Sequence, residues 1–307
     1  MSQTITTASV PRRLLGFSAT MLAAAILAAS VAGSSPARAS EVASPSDNWW
    51  TFKAPWGYYD DAQLKRGFKV FREVCSACHS MKYIAFRNLA DPGGPGFTEE
   101  EAKALAEEYT VKDGPNEEGE MFERPGKPSD RWPSPFANDE AAKYANNGAL
   151  PPDFSLLAKA RGHERGFPWF IIDMVTTHQE SGPDYIYALM TGYEDAPECG
   201  ADFEGYYNTA FAVGGVPEGC KEDGVSTIHG TYLAMAPPLF DDLVEYDDGT
   251  PQTIDQYARD VAAFMMWAAE PKLEERKRIG IAVVLYLILL SGLLFLVKKH
   301  IWRNVEH

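Results

Sequence analysis

Towards its C-terminal end the chain carries a run of 19 residues without a charge, residues 279–297, IGIAVVLYLILLSGLLFLV. At about 1.5 Å per helical residue, such a run nearly spans a hydrocarbon layer of about 30 Å. A core helix of that length in a soluble protein would show a polar face, and this one shows none. The run predicts a membrane span, so the chain folds as a body tethered near its C-terminal end. Flanking cations do not settle the direction of crossing. Lys272, Arg276, Lys277 and Arg278 stand on one side, and Lys298, Lys299 and Arg303 on the other.

The N-terminal end settles it. Arg12 and Arg13 precede an Ala- and Leu-rich apolar run over 14–32, and Ala37-Arg38-Ala39 has the small-x-small pattern of a cleavage site. Those are the three parts of a secretory signal. The expected organisation is a cleaved signal peptide over 1–39, an exported domain over 40–278, a transmembrane anchor over 279–297 and a tail over 298–307. In a bacterial inner membrane this puts the body in the periplasm and the C-terminus in the cytoplasm. The arginine pair hints at twin-arginine export. The general secretory route fits better, because the site below needs an unfolded chain on the export side.

Charge narrows the partners. There are 28 Lys and Arg against 43 Asp and Glu, a net charge of −15, and the acids crowd between the two cationic ends. A phosphate backbone calls for a basic face, so no nucleic-acid partner is expected. Acid runs such as 99–101, 107–108 and 117–120 suit the steering of a basic protein, or simply solubility.

The body reads as mainly α with long connections. Asp60-Asp61 opens an amphipathic stretch with Leu64, Phe68, Phe71 and Val74 at helical spacing, running into Cys75. Thr98 with Glu101, and Thr253 with Gln256, each match a capping box ahead of a helix. A short helix is expected over 184–190, stopped by Gly192. Residues 111–135 and 193–224 read as loop, and strand signals are scarce.

Cys75-Ser76-Ala77-Cys78-His79 is the string with chemistry in it. Two thiols three residues apart can bond the two vinyl groups of one haem, and the next residue places an imidazole at the iron. A redox dithiol, half a zinc site and a strained disulfide are the alternatives. A helix precedes the pair where a thioredoxin motif wants a strand. Among ligands for the opposite iron face, Met81 is too close to His79. Met174, Met190, Met265 and Met266 sit on apolar stretches where packing is the default, and Met121 lies in the acidic loop. Met235 differs, because Pro237 and Pro238 stiffen its segment, LAMAPPL, just before the last helix of the body. His163, His178 and His229 are rival ligands.

CSACH, the GALPPDF stretch with Arg161 downstream, AMAPPL, DDLVEYDDGTP and FMMWAAEP followed by an anchor occur in this order over residues 49–303. Together they resemble the cytochrome c1 family. The resemblance implies a class I cytochrome c-like haem domain with long loop insertions and one C-terminal transmembrane helix. It implies one covalent c-type haem, with Cys75 and Cys78 as thioether anchors and His79 and Met235 as axial ligands. Arg161 and Tyr185 then fall beside a haem propionate, and Pro151 and Pro152 at the haem edge. The implied function is electron transfer from the Rieske iron–sulfur protein to a soluble, basic-faced c-type cytochrome. The setting is the quinol–cytochrome c oxidoreductase, complex III, of a respiratory or photosynthetic chain, with cytochrome b as neighbour and lipid around the anchor. Such a subunit is no enzyme on its own. Cys199 and Cys220 resemble a pair in some bacterial members, and as the leftover pair in an oxidising compartment they read as a disulfide. An apolar patch within 162–182, FPWFIIDMV, departs from the shorter mitochondrial pattern. The alternatives to electron transfer are an anchored haem peroxidase with an open iron position and a membrane-tethered thiol oxidoreductase.

Overall fold

A computed structural model describes residues 48–162, 167, 169, 172, 181–211, 213, 215–223 and 225–304. The signal peptide expected over 1–39, His163, His178, Met174 and most of the apolar patch lie outside the described residues.

Two helices make the centre of the body. Helix α1 (Asp61–Glu73) starts where Asp60 accepts a hydrogen bond from the Gln63 amide, 2.9 Å, satisfying one of the free donors of the first turn. Its apolar spacing buries Leu64, Phe68 and Phe71 on one face. That face meets α6 (Ile254–Ala269), whose every residue from Tyr257 to Ala268 except Arg259 is buried. The two cross at Gly67, where a Cβ would lie 2.0 Å from the Asp260 carbonyl oxygen and 2.7 Å from the Phe264 Cβ. Only glycine lets the backbones approach so closely. Phe68, Phe71, Trp132 and Phe264 then pack with ring centroids 5.5–5.7 Å apart. Arg66 reaches across to the fully buried Asp260, 2.9 Å, so the helix pair carries an ion pair along with its apolar seam.

Smaller elements wrap this centre. Helix α2 (Glu99–Glu107) has the expected box: Thr98 accepts from the Glu101 amide, 3.1 Å, and Glu101 accepts from the Thr98 amide, 2.7 Å. Helices α3 (Asp139–Ala145), α4 (Leu157–Ala160) and α5 (Gly182–Thr191) follow, with α4 and α5 packed on α6. The chain ends in α7 (Leu273–Ile301), 29 residues long and apolar enough to cross a membrane. Its first turns are built into the body. Leu273 is buried in the core, the Glu274 carboxylate accepts from the Tyr59 amide, 2.8 Å, and Lys277 donates to the Phe52 carbonyl. Glu270 sits between Lys159, 2.7 Å, and Arg276.

Three expectations change. The loop over 111–135 contains an antiparallel hairpin, β1 (Thr110–Asp113) with β2 (Phe122–Pro125), closed by Arg124 on Asp113 and Asp130. The loop over 193–224 contributes β3 (Tyr206–Asn208), and Lys221–Glu222 (β4) pairs with Val225–Ser226 (β5). Strand β3 pairs with β6 (Thr231–Leu233), two residues before Met235. At α6 only half of the second capping box forms. Thr253 accepts from the Gln256 amide, 3.3 Å, but the Gln256 side chain donates to Asp260, 2.9 Å, because the buried carboxylate needs a second donor.

Candidate haem site

The five residues of the CSACH string leave α1 in a single tight turn. Cys75–Ala77 is one 3-10 turn, in which the amides of Cys78 and His79 both donate to the Cys75 carbonyl, at 3.1 and 2.9 Å. Both thiols are free, Cys75 half-buried and Cys78 exposed. Burial, with a smaller push from Cys78, raises the Cys75 thiol to about 12.

His79 follows at once, 9% exposed. Its Nδ1 lies 2.9 Å from the Pro152 carbonyl oxygen. A carbonyl can only accept, so Nδ1 carries the proton and Nε2 keeps its lone pair. Phe154 stacks on the imidazole, centroids 4.1 Å apart. Burial lowers the His79 pKa, against the opposing pull of Pro152 and Asp153, so the ring is neutral. The turn is held in place by Asp153, whose carboxylate accepts from the Ser80 hydroxyl, 2.7 Å, the Lys82 amide, 2.9 Å, and the Ser155 amide, 2.9 Å. Burial alone would raise this carboxyl; the hydrogen bonds outweigh it and hold it below the ordinary range.

Met235 stands half-buried just past β6, and the Tyr193 hydroxyl donates to its carbonyl, 3.1 Å. Tyr185 on α5 lies near enough to Arg161, and to Tyr193, to interact with each electrostatically. Burial raises both phenols. Arg161, Tyr185, Tyr193 and Met235 thus lie in one neighbourhood, with Tyr193 bonded to the Met235 segment. Among the described rival methionines, Met81, Met265 and Met266 are buried in the core, Met190 packs against it and Met121 is exposed. His229 is exposed. Pro152 also contributes its carbonyl, to His79.

Sequence reasoning missed Asp153, Phe154 and Tyr193. Asp153 and Phe154 belong to the GALPPDF stretch, so the signal was present in the motif. Tyr193 belongs to no motif.

These residues fit a covalently held haem. Two free thiols and a neutral imidazole with Nε2 available lie in one turn, while Cys199 and Cys220 are joined to each other, S–S 2.06 Å, and offer nothing to a zinc ion. A helix precedes the thiols, unlike a thioredoxin motif.

A membrane-anchored c-type cytochrome is the class that this largely helical body, this site and this long apolar C-terminal helix define. The chain belongs to the cytochrome c1 family: the model for that family, described as Cytochrome C1 family, matches residues 50–305. The cytochrome c1 of Blastochloris viridis is 45% identical over 278 residues, covering 90% of this chain and 92% of that protein. The mitochondrial heme protein cytochrome c1 of Saccharomyces cerevisiae is 40% identical, covering 84% and 72%. The cytochrome b/c1 of Bradyrhizobium diazoefficiens is 48% identical over 85% of this chain, which spans 36% of that longer protein. The chain is a haem-bearing electron-transfer subunit of complex III. Neither the peroxidase nor the thiol-oxidoreductase alternative finds support in these relatives.

Proposed function

We propose that the mature chain carries electrons on the periplasmic face of a bacterial inner membrane, from the Rieske iron–sulfur protein to a soluble, basic-faced c-type cytochrome. Residues 1–39 are removed after export, 40–278 form a class I cytochrome c-like domain, 279–297 cross the membrane and 298–307 stay in the cytoplasm. Cytochrome b and the Rieske protein are its partners in the multi-subunit reductase. A relative named for b and c1 together supports the first of these. The acidic runs outside the membrane suit a basic carrier.

The observation that carries this reading is the His79 ring, fixed by the Pro152 carbonyl as a neutral Nε2 donor one residue beyond two free thiols. A c-type haem, when bound, supplies a one-electron iron couple. The chain's own work is to hold two ligands still. Pro152 and Phe154 fix the plane and tautomer of His79. Pro237, Pro238 and the Tyr193 hydroxyl restrain the Met235 segment, whose thioether would be the second protein ligand to the iron. Cys75 and Cys78 are the thioether anchors. Arg161 and Tyr185 present a cation and a phenol for the propionates, with Pro151 and Pro152 at the rim. Cys199 and Cys220 clip the loop that precedes β6. Ligands that do not move between oxidation states keep reorganisation small.

One optical comparison tests the assignment. Reduced protein is expected to leave its spectrum unchanged under carbon monoxide, whereas Met235→Leu binds the gas readily. Ready binding by the unsubstituted protein would overturn the ligand set.

A further inference from the structure

Trp49, Trp56 and Tyr58 are 81%, 79% and 60% exposed, three large aromatic side chains on one short loop. The loop is not loose. Trp50 and Phe52, 3% and 1% exposed, fasten it to the core, and Trp50 Nε1 donates to Asp184, 2.8 Å. The amides of Lys53, Gly57 and Tyr58 donate to the carbonyls of Trp50, Ala54 and Thr51, at 3.1, 3.0 and 3.1 Å. A Cβ at Gly57 would lie 2.1 Å from the Lys53 carbonyl oxygen, so the turn closes only with glycine. The outward rings are therefore displayed by a rigid frame.

Their position says what they face. Pro55, Trp56 and Tyr58 form one wall of a groove of about 580 Å³ whose other wall includes Lys272, Arg278 and Ile281. Ile281 is the third residue of the uncharged run 279–297. Trp56 thus stands where the anchor passes from charged to apolar residues, the level of a bilayer at which indole and phenol rings are favoured. Around the groove, Glu274 is engaged by the Tyr59 amide and Lys277 by the Phe52 carbonyl. Of the charged residues that line it, Lys272, Lys277 and Arg278 outnumber Glu274 and Glu275, which leaves the groove cationic.

We infer that this groove seats a phospholipid of the leaflet on the side of the body, its phosphate at Arg278 and Lys272 and its upper acyl chain between Trp56 and Ile281. The surface is continuous with the membrane-spanning helix, and its chemistry of ring, cation and aliphatic wall matches a headgroup with its first methylenes. The loop is then a second point of membrane contact, besides the anchor.

This rests on the reading of 279–297 as a span, and the test separates the two. The assembled complex in native membranes carries a photoreactive benzoylphenylalanine in place of Trp56, of Ile288 in the middle of the anchor, or of Tyr144, which is 92% exposed on α3. An unchanged haem spectrum verifies folding. After irradiation, mass spectrometry is expected to find phospholipid adducts at positions 56 and 288 and none at 144. Arg278→Gln should reduce the lipid adducts at position 56 and leave those at 288. A polypeptide adduct at 56, or no lipid adduct there while 288 is labelled, overturns the inference. Absence of lipid at 288 overturns the span itself and the inference with it.

Discussion

His79 owes its tautomer to a carbonyl 73 residues further along the chain. The string CSACH announces what the residue is for, yet nothing in the spacing of cysteines shows how the ring is held. A backbone oxygen has no residue type, so Pro152 was legible only as a stiff residue in a turn. The same distance hides Asp153, which ties the 79–82 turn to the 153–155 turn through two donors and caps its own turn with a third, the Ser155 amide. Asp153→Asn removes the charge those donors share. We expect it to cost about 1–3 kcal/mol, read as a lower urea midpoint of the haem-loaded protein. An unchanged midpoint would mean the turns are held elsewhere. The Met235 segment is marked out differently: Pro237 and Pro238 restrict its backbone, and restriction is visible in sequence.

At the scale of elements, the helices were legible because their ends and faces obey local rules. Asp60 caps α1, Thr98 and Glu101 box α2, and the apolar spacing of α1 names the face it buries. The hairpin β1–β2 was not legible. Its strands, TVKD and FERP, hold few apolar side chains and lie mostly exposed, so no alternation marks them. What joins them is charge. Hydrogen bonds from Arg124 hold the Asp130 carboxyl at about 2, below its usual 3.8. A depressed carboxyl contributes stability above its unfolded pKa and loses it as pH falls through the folded one. Hydrogen exchange in the hairpin should therefore be flat above about pH 4 after correction for intrinsic rates. Protection should then fade between pH 4 and 2, and Arg124→Ala should remove that fading. The meeting of α1 with α6 depends on a missing side chain. Gly67→Ala sets a methyl against the Asp260 carbonyl. About 1–3 kcal/mol of destabilisation is expected by thermal melting, where Gly67 in an open helix would have gained stability from alanine.

Taken whole, the molecule divides its stability between a buried helical centre and a loop-rich flank. The flank carries β3, β6 and the Met235 segment, and the Cys199–Cys220 bond closes a separation of 21 residues within it. On the chain-entropy view a link of that span contributes about 3 kcal/mol. Replacing both cysteines by serine should lower the denaturant midpoint accordingly, with hydrogen exchange rising first in 199–220. A rise confined to α1 and α6 would contradict the division.

The first turns of α7 are locked to the body by Leu273, by Glu274 on the Tyr59 amide, by Lys277 on the Phe52 carbonyl and by the Lys159–Glu270–Arg276 group. With so many fastenings, the direction in which this apolar helix leaves the body is set by the body's own packing, so the pose of the haem-bearing head and the line of the helix are one geometric fact rather than two.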